Sequence, residues 1–390
     1  MLDLANETAG YCTKILADLG ARVIRVEKPQ GDDARKRGPF IENSSGAKES
    51  LSFLNDNINK ENITLNLFSE KGREIFRRLI TKIDILVETF PPGLLVDLDL
   101  DCESLRSLNP GLIHASVTPF GDRGPRKHYK ACDLVLSAYG GQMKVCGSPD
   151  GSPLKVHGNQ SFYSGSLFAA IAVLLALRKR ARTGMGDHLK ISLQGSVTAT
   201  LEHVVFRHFM EGSVPQRKGS LHWNDAFVVL PCKDGFVQAS LFQKWETLIE
   251  WLEADKAAED LADPRWLDAE LRRQSIGHIL DVLGRWTRKK SVQELFELGQ
   301  LMRFPWAPVN APERVLTCPQ LGAREFFAWG LCAATGIPTK FPGIPFRVNG
   351  RTSRPPKAAS SPGEDNERIY LQELGLSRYE FAQLQGHGVI

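Results

Sequence analysis

Apolar positions at the start of the chain fall at strand spacing, then at helix spacing, then at strand spacing again. Met1–Leu4 reads as the tail of a strand that begins abruptly, as though residues had been lost before it. From Thr8 to Leu19, Ala9, Cys12, Ile15, Leu16 and Leu19 recur at helical intervals, and Gly20 is the residue type that ends helices. Arg22–Glu27 is short and rich in β-branched residues, which predicts a strand. The cycle repeats with a strand at Ile63–Leu67, an amphipathic helix at Glu70–Ile80, and strands at Ile83–Glu88 and Leu112–Val117. Strands and helices alternating at these lengths predict an α/β fold with a parallel, Rossmann-like sheet.

Beyond Gly121 the texture changes. Residues 121–131 are basic and loop-like, and Gly140, Gly141, Gly147, Gly151 and Pro153 punctuate the next stretch. A long helix is predicted from about Ser161 to Arg182, stopped at Thr183-Gly184, then a strand at His188–Leu193 and helix over 194–210. Asp225–Ser240 reads as two strands around the turn Lys233-Asp234-Gly235. Helices dominate from Gln243 to Leu301, with a break at Asp263-Pro264. Thr335–Gly363, rich in Pro, Gly, Arg and Ser, reads as an extended return crossing, and Tyr370–Gln385 as a closing helical pair. At 390 residues the chain exceeds one ordinary core and implies two domains, or one large α/β unit with an inserted lobe.

Composition narrows the class. Apolar residues at 42% and charged residues at 24% belong to a globular chain, not a disordered one. A net charge of +4 makes no case for nucleic acid, which needs a denser basic face. The longest apolar run, Leu167–Leu177, is about half of a bilayer crossing and reads as a buried helix, so no membrane partner is expected. The first residues lack the basic and apolar regions of a signal peptide. Seven dispersed cysteines without a CxxC pair indicate a reducing cytoplasm, no disulfide framework and no zinc site.

Several familiar chemistries are missing. There is no GxGxxG after the first strand and no Walker loop. Arg178-Lys179-Arg180-Ala181-Arg182 is the solvated last turn of a helix, where cations complement the dipole. His114, His203 and His208 sit among apolar residues and read as packed side chains; His203 and His208 are five apart and share no helical face. No metal is expected.

Function is carried by a set of short motifs in order. Tyr11-Cys12-Thr13-Lys14-Ile15-Leu16-Ala17-Asp18-Leu19-Gly20-Ala21, then Val23 to Pro29 and Gly31-Asp32, opens the chain. Asn59-Lys60 precedes Ile63-Thr64-Leu65, and Glu88-Thr89-Phe90-Pro91-Pro92-Gly93 forms a turn. Next are Leu108-Asn109-Pro110-Gly111, Phe120-Gly121-x-x-Gly124-Pro125, Lys130-Ala131-Cys132-Asp133 and Arg182-Thr183-Gly184-x-Gly186. Then come Asp263-Pro264-Arg265, Ala307-Pro308-Val309-Asn310, Pro319-Gln320-x-x-Ala323-Arg324 and a closing Gly-x-Gly-Val. Together, over essentially the whole chain, they resemble the family III coenzyme A transferases.

The resemblance implies an α/β fold: a Rossmann-like large domain, an inserted smaller α+β domain, a C-terminal return, and an interlocked dimer. The limits it suggests are 1–195 for the large domain, 196–225 for a linker helix and crossing, 226–330 for the small domain and 331–390 for the return. It implies CoA or acyl-CoA and a carboxylic acid as substrates, with no metal. Position by position, Arg35, Lys60 and Lys130 become candidates for CoA's anionic groups and Phe90 for a flank of the pantetheine arm. Dimer partners are a paralogous subunit or a second copy.

The departures matter as much. In the family an aspartate attacks the acyl-CoA carbonyl to give a mixed anhydride, which CoA thiolate converts to an aspartyl thioester. The family's Asp-x-x-x-Gly spacing, counted back from Gly165, puts Ser161 at that position, and a register one shorter puts Phe162 there. A serine ester lies well below a thioester in energy, and serine needs a base. His157, four residues upstream, reaches it only if the helix begins earlier. The related racemases use a His/Asp pair where this chain has Cys132 and Ser161, which disfavours racemisation. Thr89 replaces the family asparagine and Asp97 a basic residue, and a Gly-rich lid has no counterpart near Gly219-Ser220-Leu221-His222.

Three readings are open. The first is the aspartate-lacking partner in a heteromeric transferase; such unequal pairs occur in the family, including transferases that activate benzylsuccinate. The second is a self-sufficient enzyme with chemistry relocated to Asp133, Glu7 or Ser161. The third is a non-catalytic acyl-CoA-binding protein.

Overall fold

A computed structural model describes residues 1–43, 46–332, 335–350 and 355–390. Six parallel strands form the central sheet: β1 (Leu2–Leu4), β2 (Val23–Glu27), β3 (Lys60–Thr64), β4 (Ile85–Glu88), β5 (Ile113–Thr118) and β6 (His188–Ser192). Their spatial order is β3-β2-β1-β4-β5-β6. The order reverses between β1 and β4, and ligands of doubly wound sheets bind at such a point, beyond the carboxyl ends of the strands.

Both faces of this sheet are covered, which is why its strands read as nearly continuous apolar runs. On one face Leu2, Leu86, Ile63 and Ile24 pack with helix α2 (Glu70–Ile80) and with the chain's own end, including Ile369, Tyr370, Phe381 and Ile390. On the other, Val87, Ala115, Val117 and Ile191 pack with α1 (Gly10–Asp18) and with Ala169, Ala170 and Val173. Ser69 caps α2, and its hydroxyl accepts from the Gly72 N–H. The C-terminal return is tied down by hydrogen bonds as well as by apolar contact. The Tyr370 hydroxyl donates to the Thr64 carbonyl at 2.7 Å, and Asp365 Oδ2 accepts the Asn62 N–H at 2.8 Å.

The chain divides into two compact units. The larger holds Met1–Gln142, His157–Glu202 and Pro319–Ile390, and the smaller holds Met143–Val156 and His203–Cys318. The limits 195 and 330 therefore move to 202 and 318, and the stretch 143–156 joins the smaller unit. Hydrogen bonds explain the latter: Gly219 N–H donates to the Gly147 carbonyl, and Arg217 to the carbonyls of Ser148 and Gly151. The smaller unit centres on a three-stranded antiparallel sheet of Phe227–Cys232, Gly235–Ser240 and Ala307–Pro308. Trp245, Trp251, Trp286 and Trp306 fill its core.

Three local expectations change. The helix predicted over 194–210 is two helices, Leu193–Ala199 and Val204–Glu211, with Glu202 between them at φ 51°. Part of the expected extended return instead pairs as an antiparallel ribbon, Phe327–Leu331 with Pro338–Pro342; residues 351–354 of that segment lie outside the described residues. The long helix spans Gln160–Thr183 and has the length and apolarity of a membrane crossing, yet it is only half buried. Ala169, Ala170, Val173 and Ala176 face the sheet, whereas Leu167, Phe168, Ile171, Leu174 and Leu175 are 40–63% exposed.

Candidate active site

The long helix begins one residue before Ser161, so its first turn must find partners for N–H groups that no helical carbonyl reaches. The partner of Ser161 comes from another helix. Asp133, the first residue of the helix Asp133–Tyr139, accepts the Ser161 N–H at 2.9 Å and the Ser161 hydroxyl at 2.5 Å, both on Oδ1. A carboxylate at a helix N-terminus is favoured by the dipole, and an ionised acceptor makes both bonds strong. Ser161 is 1% exposed and Asp133 5%. The hydroxyl proton is thus pointed at a carboxylate in a closed position.

His157 does not join this pair. It lies before the helix and is exposed, and its carbonyl accepts from the Gln160 side chain at 3.1 Å. Glu7, the third relocated candidate, is ion-paired to Arg37. Cys132 is exposed on the residue before Asp133.

The four binding candidates separate. Lys60 is 1% exposed, and its ammonium donates to Asp3 Oδ2 at 2.9 Å, Gly10 O at 3.1 Å and Asn57 Oδ1 at 3.0 Å. All three N–H bonds are used inside the protein. Asp3, 0% exposed, also accepts from Thr13 Oγ1 at 2.7 Å, from the Ala5 N–H at 2.9 Å and from Arg25 at 3.3 Å. Burial alone would raise the Asp3 pKa, but Lys60 and Arg25 outweigh it and hold the carboxyl below its usual range. Burial lowers the Lys60 pKa, against the pull of Asp3.

Arg35 forks onto Glu27 at 2.9 and 2.8 Å, donates to the Ser360 carbonyl at 2.9 Å and lies over the Phe53 ring at 4.0 Å. Lys130 is exposed ahead of Asp133. Phe90 lies between two cavities and lines both.

The cavity of about 270 Å³ beyond β1–β4 occupies the switch point. Its walls include Asn6, Asn66, Phe68, Thr89 and Phe90, and its charged groups are Glu27, Asp32, Asp33 and Lys28. The Thr89 hydroxyl accepts the Asn6 N–H at 2.9 Å and so ties the loops after β1 and β4 together. Each carboxylate of this wall has a cationic partner: Lys28 pairs with Asp33 at 2.9 Å, Arg35 with Glu27 at 2.8 Å, and Arg25 with Asp32. Arg35, Lys60 and Lys130 do not line it.

The second cavity, about 290 Å³, runs along the face of β5 and β6 to the loop after β4, and is lined by Glu88, Cys102, His114, Ser116, His188 and Lys190, among others. His114 and His188 are register partners on β5 and β6, with rings stacked at 4.8 Å. Burial, with His114 beside it, lowers the His188 pKa to about 4. In the sequence His114 reads as core packing and has no visible tie to His188. Only the strand register brings the two together.

With the fold and these positions defined, comparison with known proteins places the chain. The profile of CoA-transferase family III matches residues 1–366, and the chain belongs to that family of transferases. It is 31% identical over 399 residues to the succinyl-CoA:(R)-benzylsuccinate CoA-transferase subunit BbsE of Thauera aromatica, covering 100% of this chain and 97% of that one. It is 33% identical over 342 residues to a succinyl-CoA:mesaconate CoA-transferase of Haloarcula marismortui, covering 84% and 83%. Among solved structures, a CaiB/BaiF family protein from Brucella suis superposes with a TM-score of 0.83 at 30% identity, over 96% of this chain and 97% of that one.

Proposed function

We propose that this chain is the aspartate-lacking subunit of a heteromeric CoA-transferase that moves CoA from a donor acyl-CoA to an acceptor carboxylic acid. The observation that carries the reading is Ser161: at the family's nucleophile position it is buried, uncharged and hydrogen-bonded to Asp133. A carboxylate in that place forms an anhydride that keeps the thioester's energy. A serine would form an ester that does not.

The exposed apolar face of the long helix fits a surface that another subunit covers. One relative carries "subunit" in its name. On this reading the partner's aspartate attacks the donor thioester and CoA thiolate leaves. Thiolate attack on the anhydride then gives the aspartyl thioester and frees the donor acid, and the acceptor carboxylate repeats the sequence in reverse. This chain supplies scaffold to the pair.

The test is expression of the chain alone and together with a paralogous family III chain bearing the aspartate. Transfer by the pair and none by the isolated chain is expected. Turnover by the isolated chain at a rate comparable to the pair's would reject the reading.

A further inference from the structure

On one face of β5 and β6, toward the amino ends of these strands, three potential ligands from three different elements meet in one cavity. Cys102 opens the helix Cys102–Leu108, His114 is in β5 and His188 is in β6. One ligand atom from each lies within 4.8 Å of the others. The parallel register His114↔His188 places the two imidazoles on one sheet face, and the Ser116 hydroxyl sits 3.5 Å from His114 Nε2 and 3.1 Å from His188 Nε2. The two Nε2 atoms thus share Ser116 Oγ as a neighbour, while the rings themselves are stacked nearly parallel, 16° apart.

His114 is 2% exposed, yet its Nδ1 has no hydrogen-bond partner among the described residues. Its Nε2 has only contacts at 3.5 Å, to Glu88 Oε1 and Ser116 Oγ. A buried ring with neither nitrogen well satisfied is costly unless something else takes a lone pair.

We propose that this cavity is a site for one divalent metal ion of borderline-soft character, of the zinc type, held by Cys102 Sγ and one nitrogen each of His114 and His188. A thiolate and two imidazoles are the donor set such an ion selects. In a tetrahedral zinc shell, bond lengths of about 2.0–2.3 Å put donors roughly 3.3–3.7 Å apart, so the three must close by about 1 Å. Rotation of the Cys102 and His188 side chains has to supply this, and it must also turn the His188 ring out of its near-parallel stack on His114. Charge also balances: Cys102 loses its thiol proton on binding, and with Glu88 as the neighbouring carboxylate two negative charges face the dication. Three protein donors leave a fourth position toward the cavity for water or a ligand oxygen. The proposal is independent of whether the chain acts alone or in a pair.

The full-length protein, stripped with chelator and titrated with cobalt(II), tests it. Expected are one cobalt per chain, a near-ultraviolet thiolate-to-cobalt band, and displacement by zinc. Cys102→Ser should abolish the band, and His188→Asn should weaken binding about tenfold or more. X-ray absorption of the zinc-loaded native protein gives a reading that needs no variant to fold: one sulfur and two imidazole nitrogens in the shell. No binding at micromolar cobalt, a band that survives Cys102→Ser, or a shell without sulfur would overturn the proposal.

Discussion

Lys60→Met separates a structural lysine from a ligand-binding one. The native ammonium is fully enclosed and donates to Asp3, the Gly10 carbonyl and the Asn57 side chain. Methionine fills most of the stem's volume but removes all three donors. Asp3 keeps Thr13, the Ala5 N–H and Arg25, so its carboxylate is not abandoned, yet its 2.9 Å cation is gone and two buried acceptors lose a donor. Breaking a buried pair from one side costs about 3–5 kcal/mol, a large share of the roughly 5–15 kcal/mol that holds a domain folded. The expected result is a fall of that size in urea unfolding of the larger unit, at an unchanged slope. The double variant Lys60→Met with Asp3→Asn should recover about 1–3 kcal/mol through coupling. Lys60→Met within 1 kcal/mol of the native protein, combined with lost acyl-CoA binding by the assembled enzyme, would refute the reasoning and place Lys60 at the ligand.

Other outcomes rest on the same contacts. Burial alone would raise the Glu27 pKa, but the Arg35 fork and Arg25 hold it below its ordinary 4.5. Its stabilising contribution is thus complete above that value and is lost as pH falls through the depressed native one. Arg35→Gln should cost about 1–3 kcal/mol at pH 7, and the urea midpoints of the two proteins should converge as pH falls below the ordinary 4.5 of Glu27; a constant gap would refute this. Gly186→Ala places a methyl 1.9 Å from the Leu112 carbonyl oxygen, and thermal unfolding should register a loss of about 3 kcal/mol or more. Ile171→Glu with Leu175→Glu, on the exposed face of the long helix, should leave stability within about 0.5 kcal/mol and abolish assembly in native mass spectrometry. Assembly that persists would remove that face from the interface.

The sheet is legible in the sequence because its strands are buried on both sides and read as short apolar runs, and because Gly20 and Gly184 mark helix ends by residue type. The ribbon Phe327–Leu331 with Pro338–Pro342 is not, since prolines at both ends of its second strand mask the period-two pattern. The helix Gln160–Thr183 is legible, but its exposed face is not: Leu174 and Leu175 look as buried as Val173 when only hydrophobicity is visible. Motif spacing singles out Ser161 as a candidate, whereas its hydrogen bonds to Asp133 depend on how two helix starts pack together. Lys60 and Arg35 carry the charge a phosphate needs, and only the fold reveals that Asp3 and Glu27 already use it. The convergence of His114 with His188 rests on register between parallel strands joined through the long helix, which no local pattern encodes.

The central claim is that the acyl group never rests on this chain. Trapping the covalent intermediate in the reconstituted pair during turnover, then mapping it by peptide mass spectrometry, tests that directly. The account predicts an acyl or CoA adduct on the partner's aspartate and none on Ser161, Asp133 or Glu7. An adduct on any of those three residues would contradict it.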